Sequence, residues 1–433
     1  MDQVPSPIEP SATRGGETGL RILRPLRIRD FALLFGGTTV SLFGDGIYIV
    51  ALAWQVYDLS NVPTALSAVG VAWTLPMVIF LLIAGVLGDR FDRRRLMIAG
   101  DAIRAVAIAA IAVLALTGAI ELWHVIAFTV LYGIGEAVFA PNFQAVVPDV
   151  VPQRLLVEAN SLQQLAEPVA FRFAGPAIGG LLVAGLGSGT AFAIDAGTFL
   201  VSMACVALMK PLPVAREDSG ASVLEDIREG AAFVRSQPWL WATLLSAALT
   251  LLLFLGPFEV LLPYIVRNEL GGEADVLGVI LGASGVGAIV SGLLLGQRGV
   301  GRRFVLWAYV GWGVSVACLA GYALAASAWV AVLIGFVSGL AFTVGNVIWV
   351  TMIHRYVPTE LLARVSALDW MVSIGLTPIS FAIAGPIAAA IGVEATMIGA
   401  GVLAAIASFA FLAVPGIRDP ERWEQEADPV TAT

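Results

Sequence analysis

The 433-residue sequence predicts an all-α polytopic membrane protein whose twelve transmembrane helices form two pseudo-symmetric six-helix halves. Three observations predict it. Hydrophobic residues make up 58% of the chain and charged ones 13%, with a mean hydropathy of +0.89, where a soluble domain carries about 25% charge. The apolar residues fall in blocks of about 20 or more, the length an α-helix needs to cross roughly 30 Å of hydrocarbon. VPQRLLVEANSL (151–162) returns as VPTELLARVSAL (357–368), and GVLGDRFDRRR has a weaker echo in GLLLGQRGVGRR (292–303), so the second half repeats the first.

Taken in order, residues 1–29 start polar and proline-bearing and lack the apolar core of a signal peptide. They read as a disordered cytoplasmic tail ending in a basic juxtamembrane segment. Charge and Gly/Pro clusters then place spans at about 31–56, 64–88, 96–118, 122–146, 159–185 and 188–209 in an N-terminal half (30–209). Residues 210–238 are a cytoplasmic linker. The C-terminal half (239–414) has spans at about 239–265, 275–297, 304–325, 328–352, 366–390 and 394–414. Residues 415–433 are a second disordered tail. Of the 24 Lys and Arg, 21 lie in the tails and the loops on their side, and only Arg267 in a loop on the other. Both termini are therefore expected in the cytoplasm, for a multi-pass protein of a bacterial inner membrane. Parallel repeats place a binding site between the halves near the midplane.

Charge inside a span costs roughly 2.5–3.5 kcal/mol at the bilayer centre and marks a functional position by default. Asp45, mid-span 1 in SLFGDGIYIV, is expected to take up and release a proton or to meet a cationic substrate; the alternative is a backbone-bonded Asp at a kink between Gly44 and Gly46. Glu136 (span 4), Glu167 and Arg172 (span 5) are further coupling candidates. On an ideal helix residues 167 and 172 point about 140° apart, so Arg172 is expected to reach Glu136 instead. Asp101 and Arg104, three apart, share a face of span 3. Asp369 is expected in the first turn of span 11, and Asp195 and Glu259 in the outer parts of spans 6 and 7; Glu259, after Pro257, reads as a solvated gating residue, the alternative being an acid at the outer mouth of the cavity that favours cationic or amphipathic cargo. Tyr48, Trp54, Phe139, Asn142, Phe143, Gln163, Gln164, Phe258, Glu259, Asn346 and Trp349 are candidates for lining a substrate cavity.

Loop 2–3 supplies a signature. Gly85, Leu87, Asp89, Arg90, Arg93 and Arg94 resemble the G-x-L-x-D-R-x-G-R-R/K pattern of the major facilitator superfamily, with Asp92 where the second glycine stands. Gly175, Pro176, Gly179 and Gly180 (GPAIGG) resemble the end of its antiporter signature. LRIRDFALLF, DRFDRRRLMIAGDAIRA and VPDVVPQRLLVEANSL are similar to the drug:proton antiporter branch that contains the enterobactin exporter and macrolide efflux proteins. The resemblance implies the major facilitator fold and a cytoplasmic latch. In it Asp89 faces the start of span 11 near Ser366, Arg90 belongs to the same latch, Arg93 and Arg94 bind across the halves, and Asp101 and Arg104 support them.

Enzyme and pump classes fit poorly. The only lysine, Lys210, follows no glycine, so there is no P-loop. His124 and His354 lie in different loops, and Cys205 and Cys318 inside apolar runs, without metal or disulfide spacing. The expectation is a monomeric, cofactor-free, non-enzymatic secondary exporter that exchanges protons for amphipathic small molecules and binds no nucleic acid. Transport of a siderophore or lysophospholipid, or a non-transporting scaffold or sensor role, stands as the alternative.

Overall fold

The computed structural model describes residues 21–211 and 223–427; within them the side chains of 81–90 and a few others lie outside the description. Among the described residues, twelve helices are long and apolar enough to cross a membrane. In chain order they are α1 (Arg29–Leu59), α2 (Pro63–Arg90), α3 (Arg93–Leu116), α4 (Leu122–Val150), α5 (Gln153–Leu186) and α6 (Ser188–Ala207). The second set is α7 (Pro238–Asn268), α8 (Ala274–Arg298), α9 (Phe304–Ala323), α10 (Ala328–Tyr356), α11 (Thr359–Ile391) and α12 (Val393–Phe411).

The repeat is visible in the helices themselves. α4 and α10 are both 29 residues long, end at the C-caps Val151 and Val357, and keep the register of the sequence repeat throughout. Gly187 and Gly392 occupy the joints after α5 and α11 with φ of 81° and 93°, a left-handed conformation that a side chain resists. In the N-terminal half α3 packs on α4 and α6, α1 on α6, and α2 on α4; in the C-terminal half α9 packs on α10 and α12, α7 on α12, and α8 on α10. Adding six to each helix number turns one list into the other. Between the halves α5 meets α8 and α11 meets α2, again an exchanged pair. With twelve crossings both termini share one face, here called the termini face; the opposite one is the far face.

Two helices widen into π-helical turns, α5 over Glu167–Ala174 and α7 over Pro257–Leu261. Each carries a proline in its first two positions, which removes an N–H from the ladder and lets it reform with longer steps. Two expectations need correction. α11 begins at Thr359, after the N-cap Pro358, so Asp369 lies in its third turn and not its first; the charged stretch ELLAR had hidden the helix start. Part of the tail read as disordered is a helix, Asp419–Ala427. Its Glu421 accepts the N–H groups of Val305 (2.8 Å) and Leu306 (3.2 Å), capping the first turn of α9.

Candidate functional site

The centre of the N-terminal half is a buried polar cluster built from α1, α3, α4 and α6. Asp45 is 8% exposed and accepts the Tyr132 hydroxyl at 2.6 Å. Its glycine neighbours bring other helices close. A Cβ on Gly44 would collide with Asp195 and Thr198 of α6, and one on Gly46 would lie 2.8 Å from Gly175 Cα of α5. Asp195 is fully buried; its Oδ1 accepts the Thr198 hydroxyl at 3.2 Å and its Oδ2 has no hydrogen-bond partner. The outer, solvated position expected for Asp195 is therefore corrected. It faces the same α1–α6 seam as Asp45, because α6 turns its Gly44-facing side inward.

Arg104 is the cation of this cluster. Its guanidinium bonds Asp101, one turn back, and Glu136 of α4 at 2.6 Å, and lies 4.5 Å from the ring centroids of both Phe139 and Phe199. Two carboxylates and two ring faces hold a side chain that is 2% exposed. Neither Asp45 nor Asp195 has an ion-pair partner among the described residues. The Tyr132 ring that serves Asp45 stacks on Tyr48 at 4.8 Å.

Glu136 is thus taken by Arg104, and the expected Glu136–Arg172 pair does not form. Arg172 instead bonds Glu167 at 3.1 Å, with both side chains about half exposed. The expectation assumed 100° per residue; the π turn takes more residues per turn, so positions five apart come round to one face. The Arg172 guanidinium also lies 5.9 Å from the Phe342 ring of α10, across the interface between the halves.

The side chains of Asp89 and Arg90, with Gly85 and Leu87, lie outside those described. Arg93 and Arg94, expected to bind across the halves, bond within their own. Arg93 reaches Asp149 at 3.0 Å and the Ala145 carbonyl at 3.3 Å; Arg94 caps α6 through the carbonyls of Val206 (2.9 Å) and Ala207. Both project from the first turn of α3, next to the ends of α4 and α6, so the nearest acceptors satisfy them. Asp92 takes the glycine's place as N-cap of α3, accepting the Arg94 N–H at 3.0 Å.

The GPAIGG glycines make the seams tight. Gly175 and Gly179 lie on the α1 backbone at Gly46 and Ile47, with Pro176 buried beside them, and Gly180 lies on Ala274 and Gly278 of α8. At the far face the halves are joined by hydrogen bonds. Tyr57 donates to the Val260 carbonyl at 2.6 Å, Asn61 and Asn268 exchange bonds of 2.7 and 3.1 Å, Arg267 meets Asp58 at 2.6 Å, and the Ser67 hydroxyl accepts the Gly385 N–H at 2.8 Å. Arg267, the one cation of the far-face loops, is an inter-half tie.

Next to this join a narrow cleft lies between α1, α7 and α8, with Glu259 as its one ionisable lining residue and Phe258 beside it. Of the other cavity candidates, Tyr48, Phe139, Asn142 and Trp349 are corrected: each is at least nine-tenths buried within its own half. Asn142 bonds the Val138 carbonyl of its own helix, and Trp349 donates to Asp369 at 3.2 Å. Trp54 and Phe143 are half-buried, the former under Arg267; Gln163 is half-buried, and Gln164 and Asn346 are exposed. Sequence reasoning missed Tyr132 as a site residue, and named Asp195 but not its place beside Asp45. An intramembrane acid was the signal available for Asp195.

Residues 21–428 match the family model described as transmembrane secretion effector. The chain belongs to that family. Among curated relatives, the secretion effector chain is 29% identical over 387 residues to "Multidrug efflux pump Tap" of Mycolicibacterium fortuitum, covering 86% of this chain and 91% of the relative. It is 26% identical to "Macrolide efflux protein A" of Streptococcus pyogenes, covering 64% and 68%. Solved structures share the fold. A bacterial homologue of the human lysosomal transporter Spinster, inward-facing and unoccupied, superposes with a TM-score of 0.66 at 15% identity, covering 92% of this chain and 98% of that one. A bacterial homologue of the iron transporter ferroportin, inward-facing, gives 0.64 at 17%, covering 90% and 99%. The protein is a membrane transporter of the major facilitator fold and not an enzyme.

Proposed function

We propose that this chain is a monomeric bacterial inner-membrane exporter that exchanges protons for amphipathic small molecules by alternating access, with the proton carried at the Asp45–Asp195 seam. One observation carries the reading: Asp45 is buried mid-membrane with no ion pair among the described residues, bonded by a hydroxyl and set beside a second buried carboxylate. A bare charge there is costly, so binding a proton relieves the seam and releasing one loads it. Because the seam joins α1 to α6 and, through Gly46, to α5, its charge state acts on helices that move with the N-terminal half.

The positive-inside bias supports a cytoplasmic termini face. The hydrogen bonds joining the halves at the far face then support an inward-facing arrangement, and the half-exposed Glu167–Arg172 pair fits a cavity open toward the cytoplasm. Asp89 and Arg90 are the candidates for shutting that side when the far face opens. The efflux names of the relatives support export. Each proton moving down 100 mV supplies roughly 2.3 kcal/mol, enough to drive it without ATP.

The test is uptake of a radiolabelled macrolide into proteoliposomes under an imposed pH gradient. Uptake is expected to stop with a protonophore and in Asp45→Asn. Undiminished gradient-driven uptake by Asp45→Asn sinks the proton assignment.

A further inference from the structure

With the far face joined, we infer that the proton leaves the Asp45–Asp195 seam through the interior of the N-terminal half, along a buried row of hydroxyls between α1 and α6 that runs toward the termini face. The inference rests on the proton reading above and adds its route.

Asp195 is fully buried and Asp45 nearly so, so a proton needs a path through protein to reach or leave them. Both acids sit at one end of a polar row. On α1 Thr38, Ser41 and Asp45 are buried, and on α6 Asp195, Thr198 and Ser202. Steps of three and four residues keep each set on one side of its helix. Two glycines bring the sets together. A Cβ on Gly44 would collide with Thr198 and Asp195, and one on Gly37, two turns nearer the termini face, would lie 3.2 Å from Ser202 Cα. Thr38 follows Gly37 as Asp45 follows Gly44, so the hydroxyl level repeats the geometry of the acid level about 10 Å further along the axis.

Thr38 Oγ1, Ser202 Oγ and Asp195 Oδ2 are buried and form no hydrogen bond among the described residues. Orphaned groups of this kind are the usual partners of internal water, and side chains three or four residues apart stand about 5–6 Å from one another, a gap that one water bridges. A proton passes along such a row by exchange. Asp45 gives its proton to the first oxygen, each hydroxyl or water accepts one proton and hands on another, and hydronium leaves at the termini side. No hydroxyl ends charged, and no bond other than O–H forms or breaks.

The C-terminal half carries the row without the acids. TTVSLFGD (38–45) returns as TLLSAALT (243–250) on α7, and Ser202 returns as Ser408 on α12; Thr243, Ser246, Thr250 and Ser408 are all buried. Thr250 takes the place of Asp45, and Gly401 that of Asp195. Small hydroxyl residues serve close helix packing in both halves. The packing role is therefore matched between the two rows, and the proton role is not.

The experiment is hydrogen–deuterium exchange of the Asp45 carboxyl in the purified full-length protein in detergent. Infrared spectra after mixing into D2O follow the carboxyl band that Asp45→Asn removes. Thr38→Val combined with Ser202→Ala is expected to slow the exchange at least tenfold, and the matched pair Thr243→Val with Ser408→Ala to leave it within twofold. Thr38→Val alone, which keeps the side-chain shape, is expected to slow it several-fold and stands in if the double variant does not fold. Equal exchange rates in the two double variants overturn the route, as does an unchanged rate in Thr38→Val. If Asp45→Asn removes no carboxyl band, the proton reading falls and the route with it; a band that is present but indifferent to the row overturns the route alone.

Discussion

The two halves share their helix pairings but not their interiors. At the centre of the N-terminal half Asp45, Asp101, Arg104 and Asp195 are buried and Glu136 nearly so, whereas the buried polar groups of α7–α12 are hydroxyls such as Thr243, Ser315, Ser338 and Ser408. The repeat makes the contrast residue by residue. In the register that aligns α4 with α10, Tyr132 answers to Ser338 and Glu136 to Phe342. The architecture thus stands in one copy without a buried cluster of paired charges. Charge in the other copy serves something besides the fold, since each such group costs kcal/mol to insert.

The sharpest break of this comparison is Arg104→Met set against Ser315→Ala. Removing the guanidinium strands Asp101 and Glu136, a loss of about 3–5 kcal/mol for a broken buried pair. Removing the Ser315 hydroxyl forfeits one contact to Ser338 at 3.2 Å, about 0.5–1.5 kcal/mol. Thermal melting of the two variants in detergent checks the ranking. Equal melting points would mean that the charged centre is no more structural than the hydroxyl one.

The twelve spans and the repeat were legible because apolar block length and register need no knowledge of neighbours. The centre of the N-terminal half was legible only in part. Asp45, Asp101, Arg104 and Glu136 announced themselves as charges in apolar runs, but their pairing depends on which faces α3, α4 and α6 turn to one another. The Glu167–Arg172 pair was misread because the sequence was wound as an ideal helix, and the effect of Pro168 on local pitch is tertiary as well as local. The helix Asp419–Ala427 was missed for a related reason: its polar composition reads as tail, and its docking depends on orphan N–H groups at the start of α9 that only the fold brings near Glu421.

A smaller effect is expected where the halves touch. Arg267→Gln removes the tie to Asp58, whose two side chains are 29% and 45% exposed, so the change is at most about 1 kcal/mol. That is enough to shift the balance between conformations up to about fivefold toward an open far face. Spin-label distances between positions 62 and 269, exposed neighbours of the asparagine pair, in a cysteine-substituted protein report it; an unchanged distance distribution would remove Arg267 as a tie and leave the asparagine pair to hold the face.

The smallest expected effect is electrostatic and lies in the loop between α7 and α8. Partial burial and the neighbouring Glu394, in the first turn of α12, raise the Glu269 carboxyl above its ordinary range. A group that holds its proton more tightly folded than unfolded favours the fold at low pH and loses that contribution as pH rises through its folded value. Melting temperature should therefore fall slightly as pH climbs from just above the ordinary glutamate range, and Glu269→Gln should flatten that slope. Glu269 is largely exposed, so solvent screening keeps the effect small. A slope unaltered in Glu269→Gln would remove Glu269 as a source of the pH response.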